Sequence, residues 1–176
     1  INLVNFMDGI DGLICGYFAL VFLILSFKIN IFLLPLSIGL FSFILFNWYP
    51  SKIFMGDAGS TFIGSIFAGL VISSDTLKES FSIILLISPL ILDSGICLLR
   101  RLYDGQNIFT PHKLHLYQRL VDNEIDHDKV SIIYISSCFL ISLFYLTDRL
   151  LLEIFSTILI LIIGFYLEKN HAISFK

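Results

Sequence analysis

Residues Phe6–Lys28 read FMDGIDGLICGYFALVFLILSFK. Two aspartates, Asp8 and Asp11, stand three apart, each followed by a glycine, and lead into fifteen mostly apolar residues, 13–27. Carboxylates at the mouth of such a run are costly to place unless something pairs with them. A membrane span needs about 20 apolar residues, with shorter ones tolerated in a packed bundle, so the run itself reads as a crossing. The whole chain agrees. Of its 176 residues 57% are hydrophobic and 14% charged, mean hydropathy is +0.91, and there are 18 Phe and 7 Tyr. That is too apolar for a water-soluble domain, whose apolar share is roughly half.

A net charge of −3 points to neither nucleic acid nor a polybasic surface anchor. Cys15, Cys97 and Cys138 all fall inside apolar runs, as small buried hydrophobes rather than a disulfide or zinc framework. The chain opens at Ile1 without an initiator Met or a signal-peptide pattern, which predicts the C-terminal part of a longer protein.

Six runs qualify as spans: 13–27, 31–46, 59–73, 81–99, 130–146 and 150–167. The expected fold is therefore all-α, a polytopic transmembrane helix bundle forming one catalytic region over 1–176. The polar segment 100–129 is expected to be an extended cytoplasmic loop. Six crossings sort the connections onto two sides. One side carries Lys52, Arg100, Arg101, Lys113, Arg119, Lys129, Lys169 and Lys176; the other carries Lys28, Lys78 and Arg149. Positive residues accumulate in the cytoplasm, which makes the first side cytoplasmic. Every cluster with chemical potential falls on it.

In the first cluster Asn2, Asn5, Asp8 and Asp11 recur every three residues. On a helix that spacing gathers them on one face, where they could bind a hydroxylated ligand, a metal or both; capping with glycine turns is the plainer alternative. In the second, FNWYPSKIFMGDAGS (Phe46–Ser60), Asp57 lies among small residues at the start of an apolar run. Free amides at a helix start favour phosphate, and a carboxylate there can hold Mg²⁺ while Lys52 meets anionic oxygens; N-capping is again the alternative. Trp48 and Tyr49 read as an interfacial belt. The third, RRLYDGQNIFTPHKLHLYQRL (Arg100–Leu120), sets His112 and His115 beside Lys113 and Arg119. With no Cys and no ligand-spaced acid beside them, zinc is the weaker reading and phosphate the stronger. Asp93, inside an apolar run, is either an intramembrane functional acid or a partner for Arg100 or Arg101. Residue chemistry thus reaches a membrane enzyme that handles a phosphorylated substrate from the cytoplasm.

NLVNFMDGIDGL, PSKIFMGDAGSTFIGS and PHKLHLYQRL together resemble the polyprenyl-phosphate N-acetylhexosamine-1-phosphate transferases. The third motif resembles the branch that initiates O-antigen and common-antigen glycans of the lipopolysaccharide type, rather than the lipid I enzyme of cell-wall synthesis with its consecutive histidines. The resemblance implies transfer of a sugar 1-phosphate from a UDP-N-acetylhexosamine to undecaprenyl phosphate in the bacterial cytoplasmic membrane, with release of UMP and with Mg²⁺, or Mn²⁺ in its place, as cofactor. It implies that Asp57 binds the metal, that Asp8 and Asp11 line the nucleotide cleft, and that Asn5 and Asn47 contact the nucleotide. Phe54 would stack on uracil, and His112, His115 and Arg119 would face the diphosphate or sugar. Sugar contacts are expected around 100–110. The family's earlier acidic pair has no counterpart here, which predicts that residues 1–176 alone are inactive. Two alternatives stand beside this reading. A CDP-alcohol phosphotransferase would need further acids soon after Asp11, whereas the next is Asp57; an ion-coupled transporter would use Asp93.

Overall fold

The computed structural model describes residues 1–107, 110 and 112–175, and among them every regular element is helical. A short α1 (Asn2–Met7) leads to α2 (Leu13–Lys28); a 3₁₀ turn (Ile31–Leu33) opens α3 (Leu34–Asn47); then come α4 (Gly56–Ile72), α5 (Leu77–Leu86), α6 (Ser88–Tyr103), α7 (Leu116–Val121), α8 (His127–Tyr145) and α9 (Leu150–His171). The architecture is a polytopic helical bundle. By length and composition α8 and α9 can each cross a bilayer, and α5 with α6 qualifies as one bent span. The shorter α2, α3 with its turn, and α4 supply the remaining apolar rods.

The core forms around α2, which is apolar on every side because it is enclosed on every side, packed chiefly against α3 and α8. Tyr17, Phe18, Phe22 and Leu25 are fully buried there, and the Phe18 ring meets that of Phe67 edge to face at 5.8 Å. Cys15, Cys97 and Cys138 are all buried and free, as their apolar settings predict. On α9 the apolar residues turn outward instead. Leu151 is 81% exposed and Phe155 63%, a surface suited to lipid rather than water.

The fourth expected span, 81–99, is not one helix. It breaks at Ile87, and α5 and α6 meet at 77°. Pro89, in the first turn of α6, has no N–H to continue the ladder. The Leu90 amide turns to the Ile87 carbonyl, and the Leu86 carbonyl that it would meet in an unbroken helix accepts from the Tyr17 hydroxyl at 2.7 Å. A broken helix at membrane depth persists where a side chain satisfies the freed backbone, and α2 supplies it.

The segment 100–129 is likewise more than a loop. It holds the end of α6, the whole of α7 and the start of α8. The bundle ends sort as the crossing pattern requires. At one end Lys28 donates to Asp148 at 2.7 Å and to the Tyr145 carbonyl. At the other, the connections 8–12, 48–55 and 104–126 meet one another.

Candidate active site

Asp8 and Asp11 are not on a helix face. α1 ends at Met7 and α2 begins at Leu13, so both acids lie in the connection between them. Gly9 and Gly12 explain why. A Cβ on Gly9 would lie 2.2 Å from the Tyr117 hydroxyl oxygen. Gly12 has φ +74° and a Trp48 ring carbon 2.7 Å from where its Cβ would be, and only glycine takes that conformation without strain. Trp48 therefore roofs the turn, beyond the belt role expected of it.

The two aspartates then part company. Asp11 is locked: its Oδ2 accepts from the Ser51 amide at 3.1 Å and its Oδ1 from the Ser51 hydroxyl at 2.9 Å. Its carbonyl accepts from the Ser131 hydroxyl at 2.8 Å, and His127 Nδ1 stands 3.7 Å from its carboxylate. Asp11 thereby ties the 48–55 connection and α8 to the aspartate turn. Asn47 does similar work, accepting from the Gly12 amide at 3.2 Å and donating to the Ile53 carbonyl at 2.9 Å. Its side chain is committed to the backbone rather than open to a nucleotide.

Asp8 has a different neighbour. The Ser60 hydroxyl donates to Asn5 Oδ1 at 2.8 Å, drawing the start of α4 against α1. Asp57, in the first turn of α4 and exposed, then acts on Asp8 through its charge. Burial, followed by that charge, pushes the Asp8 carboxyl from its ordinary 3.8 up to about 6. A buried carboxylate whose ionisation a neighbouring carboxylate opposes is a donor that a hard divalent cation stabilises. Lys52 and Phe54 lie exposed on the same connection, Phe54 at 75%.

Tyr117 brings the histidine segment to the aspartate turn. Its hydroxyl donates to the Phe6 carbonyl at 3.0 Å, against Gly9. The His115 ring stacks on it at 5.8 Å and the His112 ring lies 5.0 Å from that of His115. Burial and the nearby Arg101 push His112 below its ordinary value, so its imidazole is neutral at pH 7.

Asp93 pairs with neither Arg100 nor Arg101. It accepts from the amides of Leu116 at 2.7 Å and Tyr117 at 3.3 Å, and from the Tyr134 hydroxyl at 2.6 Å. It is the cap of α7, delivered from α6. Arg119 is also committed: it donates to the carbonyls of Leu114 and Ile173 and to Glu168, which Arg100 shares. It braces the segment rather than reaching for phosphate. The open groups are therefore Asp8, Asp57, Lys52, Phe54 and His112, while Asn5, Asp11, Asn47 and Arg119 hold them in place and His115 is buried behind His112. Ser51, Tyr117 and Tyr134 have positioning roles that the sequence does not announce, and Asp93, conspicuous in its apolar run, serves as a cap rather than an arginine partner. The stretch 100–110 expected to meet the sugar includes residues 108 and 109, which lie outside those described.

Residues 1–75 match the family described as glycosyl transferase family 4. The chain is 30% identical over 149 residues to a probable undecaprenyl-phosphate N-acetylglucosaminyl 1-phosphate transferase of Bacillus subtilis (strain 168), covering 76% of this chain and 41% of that protein. It is 28% identical over 169 residues to a decaprenyl-phosphate N-acetylglucosaminephosphotransferase of Mycobacterium leprae (strain TN), covering 74% and 40%. It is 40% identical over 83 residues to a phospho-N-acetylmuramoyl-pentapeptide-transferase of Carboxydothermus hydrogenoformans, covering 43% and 26%. The chain thus spans at most 41% of the length of these relatives. No solved structure matches it.

Proposed function

The chain belongs to the glycosyl transferase family 4 superfamily of polyprenyl-phosphate sugar-1-phosphate transferases, and from that premise we propose that it carries the catalytic face of an enzyme that moves an N-acetylhexosamine 1-phosphate from a UDP-sugar to undecaprenyl phosphate. One observation carries the reading. Asp8 and Asp57, from separate motifs, share an electrostatic environment at the bundle end to which Tyr117 brings His112 and His115.

In the proposed reaction an oxygen of the lipid phosphate bonds to the β-phosphorus of the UDP-sugar as the bond from that phosphorus to the bridging oxygen breaks. UMP departs with the bridging electron pair. Asp8 and Asp57 would hold Mg²⁺, which neutralises diphosphate charge when bound. A carboxyl pushed up to about 6 gives up its proton at neutral pH, so Asp8 would be free to take the cation there. His112 would offer an imidazole N–H to phosphate oxygens with the buried His115 ring packed behind it, and Lys52 a mobile positive charge. Phe54, exposed beside Asp57, is placed to cover a flat base. The apolar cavity of about 380 Å³ between α6, α8 and α9, lined by Leu92, Ile96, Leu140 and Ile160, offers an isoprenoid chain a dry surface. The positive-residue bias supports a cytoplasmic position for this end, where UDP-sugars are made.

Membranes carrying the full chain, incubated with labelled UDP-N-acetylhexosamines, should move label into lipid extract with release of UMP. Asp57→Asn should abolish that transfer. Full activity in this variant would remove the carboxylate pair from the scheme, and label accumulating in the vesicle lumen instead would favour a transporter.

A further inference from the structure

Zinc looked unpromising from the sequence because no cysteine stands near His112 and His115. The fold supplies one. Cys97, on α6, is 3% exposed, and His115, at the start of α7, is 4% exposed. Cys97 Sγ and one ring nitrogen from each of His112 and His115 lie within 4.8 Å of one another. This is the one group of three candidate ligands among the described residues.

A second, independent observation points to a ligand. His115 Nδ1 is enclosed and has no hydrogen-bond partner. Buried imidazole nitrogens are rarely left so, because the unmade bond costs about 1–3 kcal/mol. The nearest acid, Asp93 Oδ1, is 3.8 Å away, beyond hydrogen-bond reach.

One sulfur and two imidazole nitrogens suit a borderline-soft divalent ion, whereas Mg²⁺ takes oxygen. Zinc bonds of about 2.3 Å to sulfur and about 2.0 Å to nitrogen put tetrahedral ligands roughly 3.3–3.7 Å apart. The side chains must therefore close by about an ångström, a rotamer adjustment. The surrounding charge does not forbid it. Glu168 offsets one of the two charges of Arg100 and Arg119, Asp93 adds a second negative charge 3.8 Å from His115, and the Arg101 guanidinium is turned to the Asn107 carbonyl, Gln106 and Thr110.

We propose that Cys97, His112 and His115 form a thiolate–imidazole site for a zinc-class divalent cation, separate from the Asp8–Asp57 pair, which clamps residues 112–115 onto α6. Three protein ligands leave a fourth position for water or an anionic oxygen. If the proposed transferase reading holds, occupancy withdraws the His112 imidazole from substrate phosphate, and zinc inhibits.

The test uses the full chain purified metal-free in detergent, with Co²⁺ as the probe. One equivalent should give a thiolate-to-metal charge-transfer band and the visible bands of a tetrahedral ion. Cys97→Ser should remove the charge-transfer band, His115→Gln should weaken binding at least about tenfold, and Asp57→Asn should change neither. Absence of the band in the parent protein, or its full retention in Cys97→Ser, overturns the proposal. Because variants could misfold, Zn²⁺ protection of Cys97 against a thiol reagent is read in the parent protein, with buried Cys15 and Cys138 as internal references. Labelling of Cys97 at the same rate with and without Zn²⁺ likewise overturns it. These readouts are indifferent to transferase activity. Zinc inhibition that disappears in Cys97→Ser tests the link to transfer separately.

Discussion

Asp8 lies half-buried between α1 and α2, and its raised carboxyl sets a proton against a cation for the same place. The sign follows from the direction of the shift. With a folded value near 6 against an ordinary 3.8, Asp8 costs the fold nothing below pH ~4. The penalty grows as the pH rises through that window and is complete above pH ~6. A cation that needs the ionised form loses affinity as the pH falls: Mg²⁺ binding should weaken by about tenfold per pH unit below pH ~6 and level off above it, measured by calorimetric titration. In Asp57→Asn the Asp8 value should move down, though not back to 3.8, because burial is the larger cause; carboxyl-carbon NMR titration reads this directly. Gly9 offers a steric test. Gly9→Ala drives a methyl into the Tyr117 hydroxyl, and should cost about 1–3 kcal/mol in thermal unfolding. Tyr117→Phe on that background should recover part of the loss, since the oxygen is the nearest atom.

The helix α7 has six residues, far below the length at which a helix persists alone. Its stability must come from what it touches. Asp93 takes two amides at its start and the Tyr134 hydroxyl, and Arg119 fastens its far end to Ile173 and Glu168. Asp93→Ala strands three buried donors and should destabilise the protein by about 3–5 kcal/mol, whereas Tyr134→Phe should cost about 1 kcal/mol, both from unfolding midpoints. Nothing in the local sequence announced α7. Its LYQRLV stretch is too short to show a period, and its cap lies 23 residues upstream on α6. The same holds for the break at Ile87. Pro89 was visible, but the bend depends on Tyr17, which lies 69 residues from the carbonyl it serves. Apolar runs were legible because length and hydropathy are local quantities. For Asp8 and Asp11 the three-residue spacing argues for a helix face and the glycines for a turn, and the turn wins because Gly9 between them and Gly12 after them meet Tyr117 and Trp48 too closely for any side chain.

Across the molecule, the chemically active connections share one end and the Lys28–Asp148 pair marks the other. This two-sidedness was the most legible feature of the sequence, since the parity of crossings sorts segments without knowledge of their contacts. The sorting did not reveal which polar groups are open. Asn47, Asp11 and Arg119 carry ligand-like side chains, yet the fold spends them on its own backbone and neighbours. A Tyr103→Cys and a Leu77→Cys variant, at positions 93% and 90% exposed near opposite ends, should label from opposite faces of sealed vesicles; labelling from the same face would contradict the bundle. The tie between Tyr17 and Leu86 has a reach beyond the elbow it closes. A hydroxyl planted in the chain's first long greasy rod sets the angle at which a later rod leaves, and that angle decides where Asp93 and Cys97 come to rest. Substituting Tyr17 with phenylalanine would therefore be felt at the histidines, by way of a lever rather than a contact.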